Sequence, residues 1–228
     1  MNGILLLDKP MGWTSFDVVK KTKNILGGKI KVGHAGTLDP LATGLLIVLV
    51  GKATKQQDFF MKHDKIYDVS GTLGAISSTY DAEGEITENV QPLPAEEALK
   101  TTCQSYVGSI EQTPPQYSAI KVDGQRAYKM AREGKPVELK KRPVIIHSIN
   151  KFKYEKNIFS FTVEVSSGTY IRSLIHDIGQ DVGCGAYTSQ LRRTSIGDFS
   201  VDKSLPKEQW SEESFIESII PLEQVSVS

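Results

Sequence analysis

KVGHAGTLDPLATGLLIVLVGKATK, residues 31–55, places one aspartate, Asp39, between a glycine-flanked turn and an apolar run. The run at 45–50 is rich in β-branched residues and is bounded by Gly44 and Gly51, so it reads as a strand buried on both faces and central in its sheet. Asp39 stands just ahead of it, before Pro40. An isolated Asp-Pro of this kind reads either as a turn or helix cap or as a carboxylate held out for chemistry.

Outward from that stretch the chain alternates between short elements. Residues 4–7 read as a buried strand, and Thr14-Ser15-Phe16-Asp17 as a helix start in which a hydroxyl caps and Asp17 answers it. Gly27-Gly28 ends that helix, and 29–32 is a further strand candidate. Residues 65–73 alternate like a half-exposed strand, while 94–107 are helical with Pro94 near the start. A strand at 118–122 turns at Asp123-Gly124 into a helix near 126–133. Residues 144–154 and 159–165, separated by Glu155-Lys156-Asn157, form an antiparallel hairpin. Ile171, Leu174, Ile175, Ile178 and Val182 then mark one face of an amphipathic helix. The pattern predicts an α+β fold with a mixed, mostly antiparallel central sheet flanked by helices and loops. It contains no repeat or low-complexity linker, and one domain over 1–228 is expected, with 202–228 an acidic tail holding a short helix at 211–219.

Composition narrows the class. The chain has 228 residues, 39% hydrophobic and 24% charged, which excludes disordered and collagen-like proteins and allows one sizeable core. The first sixteen residues carry too short an apolar run for a secretory signal, and 45–50 is too short to span a bilayer, so a cytoplasmic protein is expected. Cys103 and Cys184 have no C-x-x-C partner and read as small core residues. The formal net charge is zero but sorted: residues 1–65 carry ten Lys against five acids, and 119–143 carry eight Lys or Arg against three. Folded onto one face, those segments make a patch for a polyanion; the alternative is a set of solvated faces.

Several familiar motifs fail. Gly51-Lys52 lacks the Walker glycine, because position 46 is Leu, and it lacks the hydroxyl, because position 53 is Ala. His176-Asp177 lies on the predicted helix without ligand spacing to the other histidines, and is assigned a surface or capping role. There is no G-x-S-x-G elbow and no G-x-G-x-x-G turn.

Polar clusters around Asp39 remain. They are Lys9-Pro10-x-Gly12 with Thr14-Ser15, the block Gly33-His34-x-Gly36-x-Leu38-Asp39-Pro40, Tyr67, then Gly168-Thr169-Tyr170-Ile171-Arg172 and Leu191-Arg192-Arg193. In these residues, from about residue 4 to 199, the sequence resembles the TruB family of tRNA pseudouridine synthases. Ala35 departs from the threonine common there.

The resemblance implies a pseudouridine synthase fold and isomerisation of the uridine of the TΨC loop of tRNA, with no cofactor and no metal. It implies Asp39 as the catalytic aspartate, Arg172 as its cationic partner, and Tyr67 as the ring that stacks on the uracil and takes the C5 proton. His34 would insert into the opened loop, Gly36 would let the backbone approach RNA, Tyr170 and Leu191 would line the uridine pocket, and Lys9 would support the active-site loop. Phosphate contacts are expected from Lys20, Lys21, Lys23, Lys140, Lys141, Arg142, Arg192 and Arg193, and residues 119–143 form a thumb-like part in the family. Family members usually continue into a C-terminal PUA domain, for which this chain leaves no room. A monomer acting on the T-stem and loop without a guide RNA is therefore expected. An RNA-binding or RNA-folding module of the same fold, with catalysis secondary or lost, is the alternative; only the enzyme needs Asp39, Tyr67 and Arg172 together.

Overall fold

The apolar run at 45–50 folds as its composition predicts. In a computed structural model describing residues 1–118, 121, 122, 125, 126, 130 and 139–225, it lies within β3 (Thr43–Val50), which pairs antiparallel with β1 (Gly3–Lys9) and β2 (Val32–Ala35). In chain order there follow β4 (Lys65–Leu73), β5 (Ala75–Ser77), β6 (Ile86–Glu88), β7 (Gly108–Gln112), β8 (Lys121–Val122) and β9 (Gln125–Arg126). The later strands are β10 (Arg142–Glu155), β11 (Ile158–Val165), β12 (Ala186–Ile196), β13 (Phe199–Ser200) and β14 (Ile220–Pro221). The described α-helices are α1 (Ser15–Ile25), α2 (Gln57–Met61), α3 (Glu96–Ser105), α4 (Ile171–Asp181) and α5 (Glu212–Ser218).

The chain divides into two compact units, one of Met1–Tyr67 and Leu191–Ser228, the other of Asp68–Gln190. In the first, the strand order is β14-β1-β3-β12. β12 joins β3 in parallel, with Arg192 opposite Thr43 and Arg193 opposite Gly44, which makes the sheet mixed. Gly44 permits this approach: its φ is 100°, and a Cβ there would stand 2.2 Å from the Arg193 carbonyl oxygen. The period-two alternation sends Ile4, Leu6, Leu45, Ile47 and Leu49 to one core, with Phe60 of α2, and Leu5, Leu7, Leu46, Val48 and Val50 to the other, with Val18 of α1. Each such aliphatic side chain contributes about 1.5–3 kcal/mol when fully buried, so this doubly covered pair of strands is the stable base of the unit.

α1 begins with the expected capping box: Asp17 N–H donates to the Thr14 hydroxyl, and the Asp17 carboxylate accepts from Thr14 N–H. Gly27 and Gly28, both with positive φ, follow its end. The strand expected at 29–32 lies instead at Val32–Ala35, because pairing with residues 47–50 buries Ala35 and outweighs the local pattern.

In the second unit the order is β4-β11-β10-β7. β10 and β11 form the expected hairpin, turning at Lys156, whose φ is 55°. α4 buries Ile171, Leu174, Ile175 and Ile178, and α3 buries Leu99 and Cys103. Cys184 is also buried, so both cysteines are core residues. Gln125 and Arg126 form a strand with Lys121 and Val122, so the helix expected near 126–133 does not start at 126; its remainder lies outside the described residues, apart from Met130. β12 was not expected at all, since its alternation is carried by polar side chains such as Thr188 and Arg193 that are buried with it.

Candidate active site

Asp39 sits in the loop between β2 and β3, half-buried, and the backbone on both sides of it is clamped. On one side the Ser15 hydroxyl, in the first turn of α1, accepts from Leu38 N–H at 2.8 Å and donates to the Leu38 carbonyl at 3.1 Å. On the other, the Pro40 carbonyl accepts from Gly12 N–H at 2.8 Å and from Lys9 Nζ at 3.3 Å. Lys9 is fully buried, and its ammonium also donates to the carbonyls of Trp13 at 2.6 Å and Pro10 at 3.0 Å. A buried ammonium is tolerable only when acceptors surround it, and these carbonyls tie the end of β1 to the Asp39 loop.

The strand before that loop carries His34 and leads to Gly36. The Gly36 carbonyl accepts from Arg193 Nη2 at 3.0 Å, and the Leu45 carbonyl accepts from Arg193 Nε at 2.8 Å. Arg193, 1% exposed, is thus an internal strut rather than a cation facing solvent, which corrects its expected phosphate role. Gly36 has φ 88°, and a Cβ there would come within 3.4 Å of the Arg193 guanidinium. Lys65 is also buried here; its Nζ donates to the carbonyls of Met61 and His63. Burial first, and Arg193 second, push its pKa down to about 8. His34 is held below the usual imidazole range, again by burial and then by Arg193, so the ring is neutral at pH 7. Its Nδ1 is buried with no hydrogen-bond partner among the described residues.

In the second unit Arg172 opens α4, and it is 4% exposed, where the local pattern alone suggested a surface arginine. Its Nη1 donates to the Thr79 carbonyl at 2.8 Å and lies 3.3 Å from the Asp81 carboxylate, while Nη2 donates to the Tyr117 carbonyl at 2.8 Å. The Asp81 carboxylate is itself held by the Thr79 hydroxyl at 2.5 Å and Glu83 N–H at 3.0 Å. Such a pair is stable at this depth because every lone pair and N–H direction it fills offsets desolvation. Tyr170, the N-cap of α4, donates its N–H to the buried Gln112 side chain at 2.8 Å and accepts from it at 3.0 Å. The Arg142 guanidinium lies 4.8 Å over the Tyr170 ring and donates to the Gly168 carbonyl.

Of the remaining expected residues, Tyr67 and Leu191 are buried on β4 and β12. Lys20, Lys21 and Lys23 are exposed on α1, and Lys140 and Lys141 are exposed ahead of β10. Arg192 is bidentate to Asp8 at 2.7 and 3.0 Å, a pair that competes with phosphate binding. The thumb expected over 119–143 lies largely outside the described residues. His176 is half-buried, with its ring stacked on Tyr80. Asp81 and Lys65 escaped sequence reasoning: Asp81 is one of six acids within residues 81–99, and Lys65 is an ordinary lysine at the start of a strand. Among the described residues no group of three or more His, Cys, Asp or Glu could hold a metal ion, and no helix is long and apolar enough to cross a membrane.

Comparison with known proteins bears on this arrangement directly. The model described as TruB family pseudouridylate synthase (N terminal domain) matches residues 23–171, and the one described as tRNA pseudouridylate synthase B C-terminal domain matches residues 172–225. The chain belongs to the TruB family. It is 46% identical over 224 residues to tRNA pseudouridine synthase B of Clostridium acetobutylicum, covering 98% of this chain and 77% of that relative. It is 42% identical over 227 residues to the protein of the same name from Aquifex aeolicus, covering 98% and 78%. Among solved structures, a chain of a Cbf5-Nop10-Gar1 complex superposes with a TM-score of 0.76 at 30% identity, covering 97% of this chain. A second, an H/ACA RNP bound to a substrate RNA containing 2'-deoxyuridine, gives 0.71 at 30% and the same coverage. This TruB family chain spans 60% of the length of each of those two structures' chains and has the pseudouridine synthase fold, α+β with a mixed, mostly antiparallel central sheet.

Proposed function

We propose that the chain isomerises the uridine at position 55 of tRNA, in the TΨC loop, to pseudouridine. The carrying observation is the Asp39 loop, clamped on both sides, in a family member 42–46% identical over nearly its whole length to tRNA pseudouridine synthases B. The reaction breaks the bond between ribose C1′ and uracil N1, forms one between C1′ and C5, and moves the C5 proton off while N1 regains one. It is an isomerisation needing one ionised carboxylate and no redox partner. Asp39 serves as that carboxylate, acting on ribose or base. Arg172 supplies the positive charge that keeps it ionised and oriented, and Asp81 in turn anchors Arg172. Tyr67 stacks on the uracil and takes the C5 proton.

A uridine stacked in a folded loop must leave the stack first, at a cost of a few kcal/mol. His34, neutral at pH 7, fills the gap as a ring without a charge to desolvate. Gly36 leaves room for RNA backbone beside it, and Tyr170 and Leu191 line the uridine's pocket. Lys9 holds the loop through its carbonyl contacts. Lys20, Lys21, Lys23, Lys140 and Lys141, all exposed, supply phosphate contacts with the T-stem. The chain works as a monomer in the cytoplasm, without a guide RNA.

The test uses unmodified tRNA transcript and an isolated T-arm hairpin, with no guide RNA or partner protein added. Carbodiimide-based primer extension should map one pseudouridine, in the T loop, on both. A hairpin kcat/KM more than about tenfold lower, roughly 1.4 kcal/mol of transition-state stabilisation, would show that contacts beyond the T-arm are needed. No pseudouridine on either RNA sinks the proposal.

A further inference from the structure

The loop between β5 and β6 bends at Tyr80, whose φ of 65° lies in the left-handed region that an aromatic residue enters only when its surroundings hold it there. Those surroundings are identifiable. Tyr80 N–H donates to the Ser77 carbonyl at 3.1 Å, and its own carbonyl accepts from Thr188 N–H at 2.9 Å. Ala82 N–H donates to the Thr188 carbonyl at 3.1 Å, docking the loop on β12. The remaining hold is on the side chain: the Tyr80 ring lies flat on the His176 imidazole, centroids 3.8 Å apart and planes 10° from parallel.

His176 follows Arg172 by one helical turn on α4, so both side chains leave the same face. The two residues flanking Tyr80 are the ones that hold Arg172: Thr79 through its carbonyl at 2.8 Å and Asp81 through its carboxylate at 3.3 Å. The contacts close a circuit from α4 through Arg172 to the Thr79–Asp81 backbone, through the Tyr80 ring to His176, and back to α4. The His176 Nδ1 is buried without a hydrogen-bond partner among the described residues. What the imidazole contributes is a plane.

We propose that the Tyr80–His176 stack is a positioning element for the isomerisation. It holds the left-handed bend so that the Thr79 carbonyl and the Asp81 carboxylate keep the Arg172 guanidinium oriented for catalysis. The proposal rests on the reading that Arg172 serves Asp39, and it adds two residues that act through Arg172.

The test separates a ring plane from mere bulk. Tyr80→Phe, His176→Phe and His176→Leu are compared by single-turnover rate on tRNA transcript, by tRNA binding and by thermal melting, with Arg172→Ala alongside. Tyr80→Phe and His176→Phe keep the planar contact and should hold the rate within about threefold. His176→Leu fills similar volume without a plane and should lower the rate about tenfold or more while tRNA affinity stays unchanged. Introduced into an Asp81→Asn background, the same leucine should add little further loss, because it acts through that carboxylate. Should His176→Leu not fold, Tyr80→Leu carries the same comparison from the other ring. A parental rate in the leucine variant, or equal losses in the leucine and phenylalanine variants, overturns the proposal. If Arg172→Ala itself keeps the parental rate, the reading of Arg172 fails, and the positioning proposal fails with it; an inactive Arg172→Ala beside a fully active leucine variant sinks the stack alone.

Discussion

The described contacts at the Asp39 loop and at the Arg172 corner fall on different groups. Around Asp39 the described clamps fall on main-chain atoms of its neighbours: Leu38 N–H and carbonyl on Ser15, and the Pro40 carbonyl on Gly12 and Lys9. At Arg172 they fall on the guanidinium itself, through two carbonyls and a buried carboxylate. The contrast follows from chemistry. A carboxylate that must react is best aimed by fixing the backbone that bears it, whereas a cation that only stabilises can be held by its own N–H groups. On the proposed roles, substitutions in the first region should act mainly on activity, and those in the second on stability as well.

Substitutions rank accordingly. If Asp39 is the reacting carboxylate, Asp39→Asn removes its charge while leaving the backbone contacts of Leu38 and Pro40 in place, so the rate should fall by more than about 1000-fold, near 4 kcal/mol of barrier. tRNA affinity should stay within several-fold; single-turnover and binding assays check both, and substantial residual activity would sink the proposed role of Asp39. Asp81→Ala strands a buried guanidinium and should cost about 3–5 kcal/mol of stability together with most of the activity. Lys9→Met leaves the Pro10, Trp13 and Pro40 carbonyls short of a donor, and about 2–3 kcal/mol is expected. Its rate should fall with KM little changed, since the loop is loosened and no RNA contact is lost. If Lys9→Met proved more destabilising than Asp81→Ala, the contrast between the two regions would invert.

Smaller effects sharpen the picture at the edges. Replacing Lys20, Lys21 and Lys23 by Ala should flatten the slope of log affinity against log salt by about 0.7–0.9 for each phosphate contact removed, with kcat at saturation unchanged. The smallest effect concerns Asp177, whose carboxyl is pushed up to about 6 by burial and then by Asp181. A folded pKa above the unfolded one means the native state binds the proton more tightly, so the ionised group opposes folding above about pH 6. Asp177→Asn should raise the melting temperature modestly at pH 7. That gain should fade as pH falls through 6 and vanish only below the unfolded pKa of 3.8, where the parent carboxyl is protonated in both states.

What the chain determined locally could be read from it. The β3 run, the Thr14–Asp17 capping box, the β10–β11 hairpin and the apolar face of α4 each depend on periodicity or on residues within a few positions of one another, and all four formed. The proposed site residues come from motif resemblance, and the environments of several depend on the tertiary fold. Arg172, Arg193 and Lys65 look in sequence like solvated cations, yet all three are buried; on Arg172 and Arg193 carbonyl oxygens from segments far along the chain converge, Thr79 and Tyr117 on the first, Leu45 and Gly36 on the second. For Lys65 the acceptors are nearer, at Met61 and His63, but only the fold encloses them. The same holds for β12, whose polar alternation becomes a strand only when Thr43 and Gly44 lie beside it, and for Asp81, one acid among six until Arg172 meets it. Short-range patterns decide where chain segments become helix or strand. Whether a charge is solvated or buried depends on which distant acceptors surround it, and that was decided only by the tertiary structure.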